Sequence, residues 1–445
     1  MNDLAINDYL GAHPDMSAAL AGSATAWVAQ TRRDALERFQ SEGFPTPRHE
    51  AWRYTNVRPI LKQSFTPSVA QRDDAEEIDL EKLSITPAVG PRLVFVNGHL
   101  SSRLSTLDDI DAGVRARSLA AVLDNEPDSV KPHLARQMPG CAHGFTIFNT
   151  AFAGDGALIE LDAGVKATQP IELLYIVSTP NPGALAQPRN LLIAGPNSEA
   201  QIVERYIGPD GDAYFTNVVT EIVLQQDARL GHYKLQEEGD KAFHVGGLFV
   251  RHETGSRLYA HSISIGGSLV RNDVHVVLGA PHSACVLNGL YVAGGRQHVD
   301  NHTHIDHAEP DTNSNEVYKG IVDGRARAVF QGRVVVHQDA QRSDAQQSNK
   351  NLLLSRNAEV DTKPQLEIYA DDVACSHGAT VGQLDPDAVF YLRSRGVAEE
   401  AARGLLTYAF ANDAVEKIQI VSLRERLESV IAAKLLKRDS VEELL

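Results

Sequence analysis

The stretch LYAHSISIGGSLVRNDVHVVLGAPHSACVLNGLYV, residues 258–292, decides the fold. It contains three runs rich in β-branched and aromatic residues, 258–265, 274–280 and 284–292, separated by Gly, Ser, Asn, Asp and Pro. Nothing between them has the length or the 3.6-residue period of a helix. Short runs of this kind, with turn signals every 8–12 residues or so, mark an all-β region.

The same grammar extends outward from about Pro91 to about Glu367. Further examples are LVFVNG (93–98), ALIELDAG (157–164), IELLYIV (171–177), VVTEIVL (218–224) and GGLFVRH (246–252). The region covers more than half of the 445 residues, too much for one ordinary sandwich. A stack of short strands, each burying its face on the next coil, absorbs that length. No strict repeat of fixed period is visible, so a large barrel or paired sandwiches stay open on pattern alone.

Both flanks read as helical. Ser23 is a candidate N-cap; Trp27, Val28, Ala35, Leu36 and Phe39 follow at helix spacing, and Gly43 with Pro45 supplies a stop. A second short helix is expected over 57–63, and the polar run 71–82 reads as a linker. Toward the other end, Asp385-Pro386 is a cap followed by proline at the first helical position, with Gly396 closing that helix. A second helix is expected over 399–410. A third, amphipathic one carries Leu423, Leu427, Val430, Ile431 and Leu435 against Arg424, Glu425, Glu428 and Lys434. These helices either cap an end of the β core or dock another subunit. The expected division is a helical region 1–85, a β core 86–380 and a helical region 381–445.

The composition, 43% hydrophobic and 22% charged, is that of an ordinary globular protein, with room for two or three domains. A net charge of −16 argues against nucleic acid or an anionic membrane as the main partner. No secretory signal pattern opens the chain and no apolar run spans a bilayer. The three cysteines, Cys141, Cys285 and Cys375, are sparse and odd in number, which fits a reducing cytoplasm. Three thiols also fall short of the usual four-thiolate shell of an iron–sulfur cluster.

A phosphate-binding loop, a G-x-S-x-G elbow, an H-E-x-x-H zinc motif and a C-x-x-C pair are all missing. Histidine is the unusual element: 12 of 17 lie between His232 and His377. The run His302-Thr303-His304-Ile305-Asp306-His307 spells H-x-H-x-D-H, similar to the metal motif of metallo-β-lactamase-type hydrolases. That site needs the chain to leave the strand and start a helix, whereas the flanks read as strand upon strand. The alternative is a polar ladder of histidines across coils. A second constellation is Asp371-Asp372-Val373-Ala374-Cys375-Ser376-His377. On extended backbone Cys375 and His377 face the same way, presenting half of a soft metal site. A Cys–His nucleophilic pair and a merely buried cysteine stay open beside it. The aspartates could orient the histidine or lie solvated in a turn.

Several longer runs resemble the shared core of the SufB/SufD family of iron–sulfur assembly proteins. They are YKGIVDG (318–324), QQSNKNLLLS (346–355), KPQLEIYADDV (363–373) and CSHGATVGQLD (375–385). RHEAWRYT (48–55) resembles an element at the front of SufD-type chains. The resemblance implies a right-handed parallel β-helix between helical ends, and a scaffold subunit rather than an enzyme. It implies a SufB-type partner through the β-helix and a SufC-type ATPase on the C-terminal helices, 408–436 or nearby. It also implies a transient cluster shared with the SufB-type partner, to which Cys375 and His377 contribute, and no cofactor held tightly by the subunit alone. SufB-type chains are longer and richer in cysteine, so three cysteines favour the SufD side. Exposed sheet edges would allow a homodimer of the isolated chain. A metal-dependent hydrolase using His302, His304, Asp306 and His307 is the competing expectation, and a carbohydrate-acting β-helix a more distant one.

Overall fold

The structure is a computed structural model describing residues 9, 17–67, 78–80, 89–138, 140, 142–178 and 183–436. Most of the expected linker, 71–77 and 81–82, lies outside them.

From Phe215 onward the chain alternates between two sheets. Strands Phe215–Leu224, Phe243–His252, Leu269–Leu278, His298–His307, Arg327–Val336 and Glu359–Ile368 belong to one sheet. Strands Arg229–Glu237, Arg257–Ser264, Ala284–Ala293, Asn313–Val322, Asp344–Leu353 and Ala374–Gly382 belong to the other. Each strand pairs in parallel with the strand two further along the chain, which defines a β-helix of about eight turns. Antiparallel pairing occurs only near the start, as in Val114–Ser118 against Ala157–Leu161, among the described residues.

The missing sequence repeat has a direct cause. Leu269, His298, Arg327 and Glu359 occupy equivalent places on successive coils, yet share no chemistry. What repeats is the alternation. Val270, Val274, Val276 and Leu278 point inward and meet Leu287 and Tyr291 of the facing sheet. Arg271, Asp273 and His275 of the same strand point outward. Each fully buried Val or Leu contributes roughly 1.5–3 kcal/mol, and the turns only need to bring the chain back.

Helix Ala26–Glu42 starts two residues later than Ser23 suggested: the N-cap is Thr25, and the Ser23 hydroxyl donates to the Ala18 carbonyl instead. Gly43, at φ 64°, ends the helix as expected. The β-rich reading of residues 91–367 missed helices Leu119–Asn125 and Gly144–Phe152. GFTIFNTAF is a short apolar run, and such a run cannot be told from a buried strand by periodicity. It is helical because it is enclosed by Phe39, Phe44 and Phe215. Gly144 is required there, since a Cβ would sit 2.1 Å from the Gly43 carbonyl oxygen.

At the other end, Asp385 caps helix Pro386–Ser394 by accepting from the Asp387 amide, and Gly396 (φ 93°) follows it. Helices Glu399–Val415 and Val421–Leu435 then fold back. They do not cap an end of the solenoid. Ala411, Val415, Leu423, Leu427 and Ile431 pack on Tyr233, Leu235, Ile263, Leu290 and Ile321, along the outer face of one sheet. That face carries apolar side chains on both sides of the strands, so it needed a cover.

Candidate functional site at the open end of the solenoid

The last coil consists of Glu359–Ile368 and Ala374–Gly382, the outermost strands of the two sheets. No further strand pairs with either among the described residues. Exposure rises toward this end: every residue of Ala374–Gly382 except Cys375 is exposed. Ile368, Tyr369 and Val381 stand 42%, 62% and 45% exposed. On the other edge strand, Pro364 offers no amide for pairing, and Asp361 and Glu367 are tied back to Arg327 and Arg333 at 2.6 and 2.7 Å. Charges and proline are the usual means of keeping an edge from indiscriminate pairing.

Cys375 and His377 lie two apart on the strand Ala374–Gly382, so both side chains face the inside of the coil. Cys375 continues the interior column Cys285, Ser314, Ala345 and packs against the end of the apolar core. Burial pushes its thiol up. An activated nucleophile needs the opposite shift, so burial of the thiol disfavours a Cys–His nucleophilic pair. His377 is exposed. Asp371 and Asp372 sit exposed in the preceding turn, where the Asp372 amide donates to Gln341 Oε1. They are solvated turn residues, and neither carboxylate is bonded to His377. Of the other cysteines, Cys285 is fully buried, with its thiol strongly raised by burial; Cys141 lies outside the described residues.

The H-x-H-x-D-H run does not assemble a metal site. Strand His298–His307 continues unbroken through all six residues. His302, His304 and Asp306 point outward, while His307 points inward and bonds Thr312 and Ser314 at 2.8 Å each. His302 contacts Asp300 at 3.1 Å and His304 contacts Asp306 at 3.2 Å, so each outward histidine is occupied by a carboxylate of its own strand. Across coils Phe249, His275 and His304 stack in a column with centroids 5.4 and 5.2 Å apart, and His337 of the next coil meets Asp306 at 3.5 Å. Among the described residues, no three His, Cys, Asp or Glu side chains converge to hold a metal ion.

The element 48–55 acquires a structural meaning. Trp52 is buried under the Arg271 guanidinium, 3.7 Å from its ring. Arg271 also donates to the Ala51 carbonyl at 2.9 Å and to Asp300 and Asp273 at 2.6 and 2.7 Å. Thr55 donates to Asp300 at 2.5 Å. Burial alone would raise Asp300, but Arg271 and His302 outweigh it and hold the carboxyl well below its usual range. The segment thus latches the helical front onto the outer face of the β-helix.

A polar row inside the last coils was not anticipated. Glu316 and Gln347 are register neighbours, 1% and 4% exposed, with Gln347 Nε2 donating to Glu316 Oε2 at 2.7 Å. Burial pushes the Glu316 carboxyl up to about 7, against the pull of the amide. In sequence, Glu316 follows Asn313-Ser314-Asn315 and reads as solvent-facing; only the alternation with Ser314 and Tyr318 marks it as inward.

Residues 175–410 match the family described as SUF system FeS cluster assembly, SufBD core domain, and residues 5–173 match the SufBD protein N-terminal region. The chain belongs to the SufB/SufD family of iron–sulfur cluster assembly proteins. It is SufD-like within that family. It is 30% identical over 402 residues to the iron-sulfur cluster assembly protein SufD of Escherichia coli, covering 90% of this chain and 91% of that one. It is 25% identical over 430 residues to SufD of Bacillus subtilis, covering 92% and 94%. An iron-sulfur cluster assembly SufBD family protein of Synechocystis is 31% identical over 425 residues, covering 94% and 93%.

Proposed function

We propose that this chain is a non-catalytic scaffold subunit of the cytoplasm, on which a nascent iron–sulfur cluster is built as cargo in a site shared with a SufB-type paralogue. The observation that carries the reading is the presentation of Cys375 and His377 on one face of the outermost strand. One thiol and one imidazole fill half of a cluster's ligand shell at most, and the other ligands must come from a partner. The free edges of both sheets end at the same place, so a partner can add strands or pack end-on while closing over the two side chains. Helix Pro386–Ser394 has no buried residue, and Phe390 and Tyr391 stand 72% and 56% exposed. With the helices that follow it, this segment is suited to dock a SufC-type ATPase, whose nucleotide cycle would strain the shared interface. The chain itself shows no P-loop sequence. The test is His377→Ala in a reconstituted complex of this chain with its SufB-type and SufC-type partners. Cluster formation, followed by visible absorption, falls at least tenfold; unchanged formation refutes the assigned role.

A further inference from the structure

We propose that Gln347, anchored by Glu316, orients His377 and selects its tautomer. The inference rests on the reading of His377 as a ligand only for its functional weight; the geometry stands apart from it. Glu316, Gln347 and His377 follow one another on the same inward face of successive coils. Neighbouring strands of a ladder lie about 4.8 Å apart, so stacked side chains are within reach of one another.

The row has a direction. The Gln347 amide turns its nitrogen toward Glu316, where the distance is 2.7 Å, and once Glu316 is ionised the carboxylate can only accept. Its carbonyl oxygen is not bonded to Glu316 and has no hydrogen-bond partner although the side chain is buried. Gly332 on the facing sheet leaves room for this arrangement: a Cβ there would sit 2.1 Å from Gln347 Nε2. The amide is therefore wedged, and its acceptor is left for a donor beside it, where His377 is the register neighbour on the last coil. An imidazole N–H donated to Gln347 Oε1 leaves the other ring nitrogen with a free lone pair, the state a metal ligand needs. Metal-bound histidines generally donate their second nitrogen to a carbonyl or carboxylate in this way. Gln347 and Glu316 are positioning residues and touch no cargo.

The experiment is 15N NMR of the full chain labelled at histidine, at a pH where imidazole is neutral, with His377→Ala to assign the signal. The intact chain shows one protonated and one unprotonated nitrogen shift for His377. In Gln347→Leu the two shifts move toward their average, while the remaining histidine signals stay put and report an intact fold. Glu316→Gln, which lets the amide turn over, moves them part of the way. An unchanged His377 signal in Gln347→Leu overturns the proposal. Should that variant fail to fold, an unchanged signal in the isosteric Glu316→Gln overturns it instead. Cluster formation in the reconstituted complex falls about tenfold or more in Gln347→Leu. If the tautomer responds while His377→Ala leaves cluster formation intact, the ligand reading fails and the positioning role stands.

Discussion

Replacing His252 by leucine should make the protein resist acid. His252 is 1% exposed on the inner face of strand Phe243–His252, stacked between Leu224 and Leu278. Its Nδ1 meets the Ser256 hydroxyl at 2.8 Å, and that hydroxyl already donates to the Glu253 carbonyl. Nδ1 must therefore carry the proton. Nε2 faces the apolar interior with no partner, so a second proton there would bring an unsatisfied charge. Burial lowers the imidazole to about 3. The folded value lies below the unfolded value of about 6.5, so the stability is fully present above pH 6.5 and is lost as pH falls toward 3. Between pH 7.5 and 5.0 this one residue removes about 2 kcal/mol. The test is urea unfolding of both proteins at the two pH values. The His252→Leu variant should lose about 2 kcal/mol less than the parent. Ser256 keeps its bond to Glu253, and leucine matches the column, so the variant should fold. The histidines His261, His275 and His307, each lowered to about 4 chiefly by burial, act in both proteins and cancel. Equal losses in parent and variant would refute the picture of a neutral imidazole sealed in the solenoid.

Two further outcomes follow from the packing. Trp52→Ala removes a buried indole and its stacking with Arg271, at a cost of about 3–5 kcal/mol; limited proteolysis should then cut near residues 50–60 well before the β-helix, and an unaltered cleavage pattern would refute the latch. In a Cys141→Ser background, a thiol reagent should modify Cys375 in the native protein and Cys285 only after denaturation; early loss of Cys285 would contradict its place in the core.

Much of the architecture was readable from residue types. Three strands appear over 258–292 where β-branched runs marked them, although the middle one, Leu269–Leu278, starts five residues before the expected run and takes in Arg271, Asn272 and Asp273. Helix Pro386–Ser394 is found where Asp385-Pro386 placed it, because capping chemistry is local. Two readings failed for non-local reasons. GFTIFNTAF became a helix because Phe39, Phe44 and Phe215 surround it, and no local pattern carries that information. The C-terminal helices lie along a sheet rather than across an end, since the apolar outer residues Leu235, Ile263 and Leu290 sit on strands that face the core with their other side. At the candidate site, the two-residue spacing of Cys375 and His377 was enough to place both on one face. The H-x-H-x-D-H string stayed a competing expectation because a motif does not specify its backbone; the strand expected from its flanks is present and splits His307 from its neighbours. Glu316 was hidden by a polar run whose inward members are spaced two apart.

The latch between Thr55 and Asp300 also has a bearing on how the chain is made. The two residues are separated by 245 positions. At a ribosomal pace of about 5–20 residues per second, roughly 12–50 s pass between the synthesis of one and the arrival of the other. The phenylalanines at 39, 44, 145 and 148 can gather early, but Trp52 must wait for Arg271 before its ring is covered. During that interval an apolar surface with a fixed destination has no place to go. Holding factors in the cell would be expected to act on this segment, and a chain truncated before Asp300 should be a poor survivor however well its first coils fold.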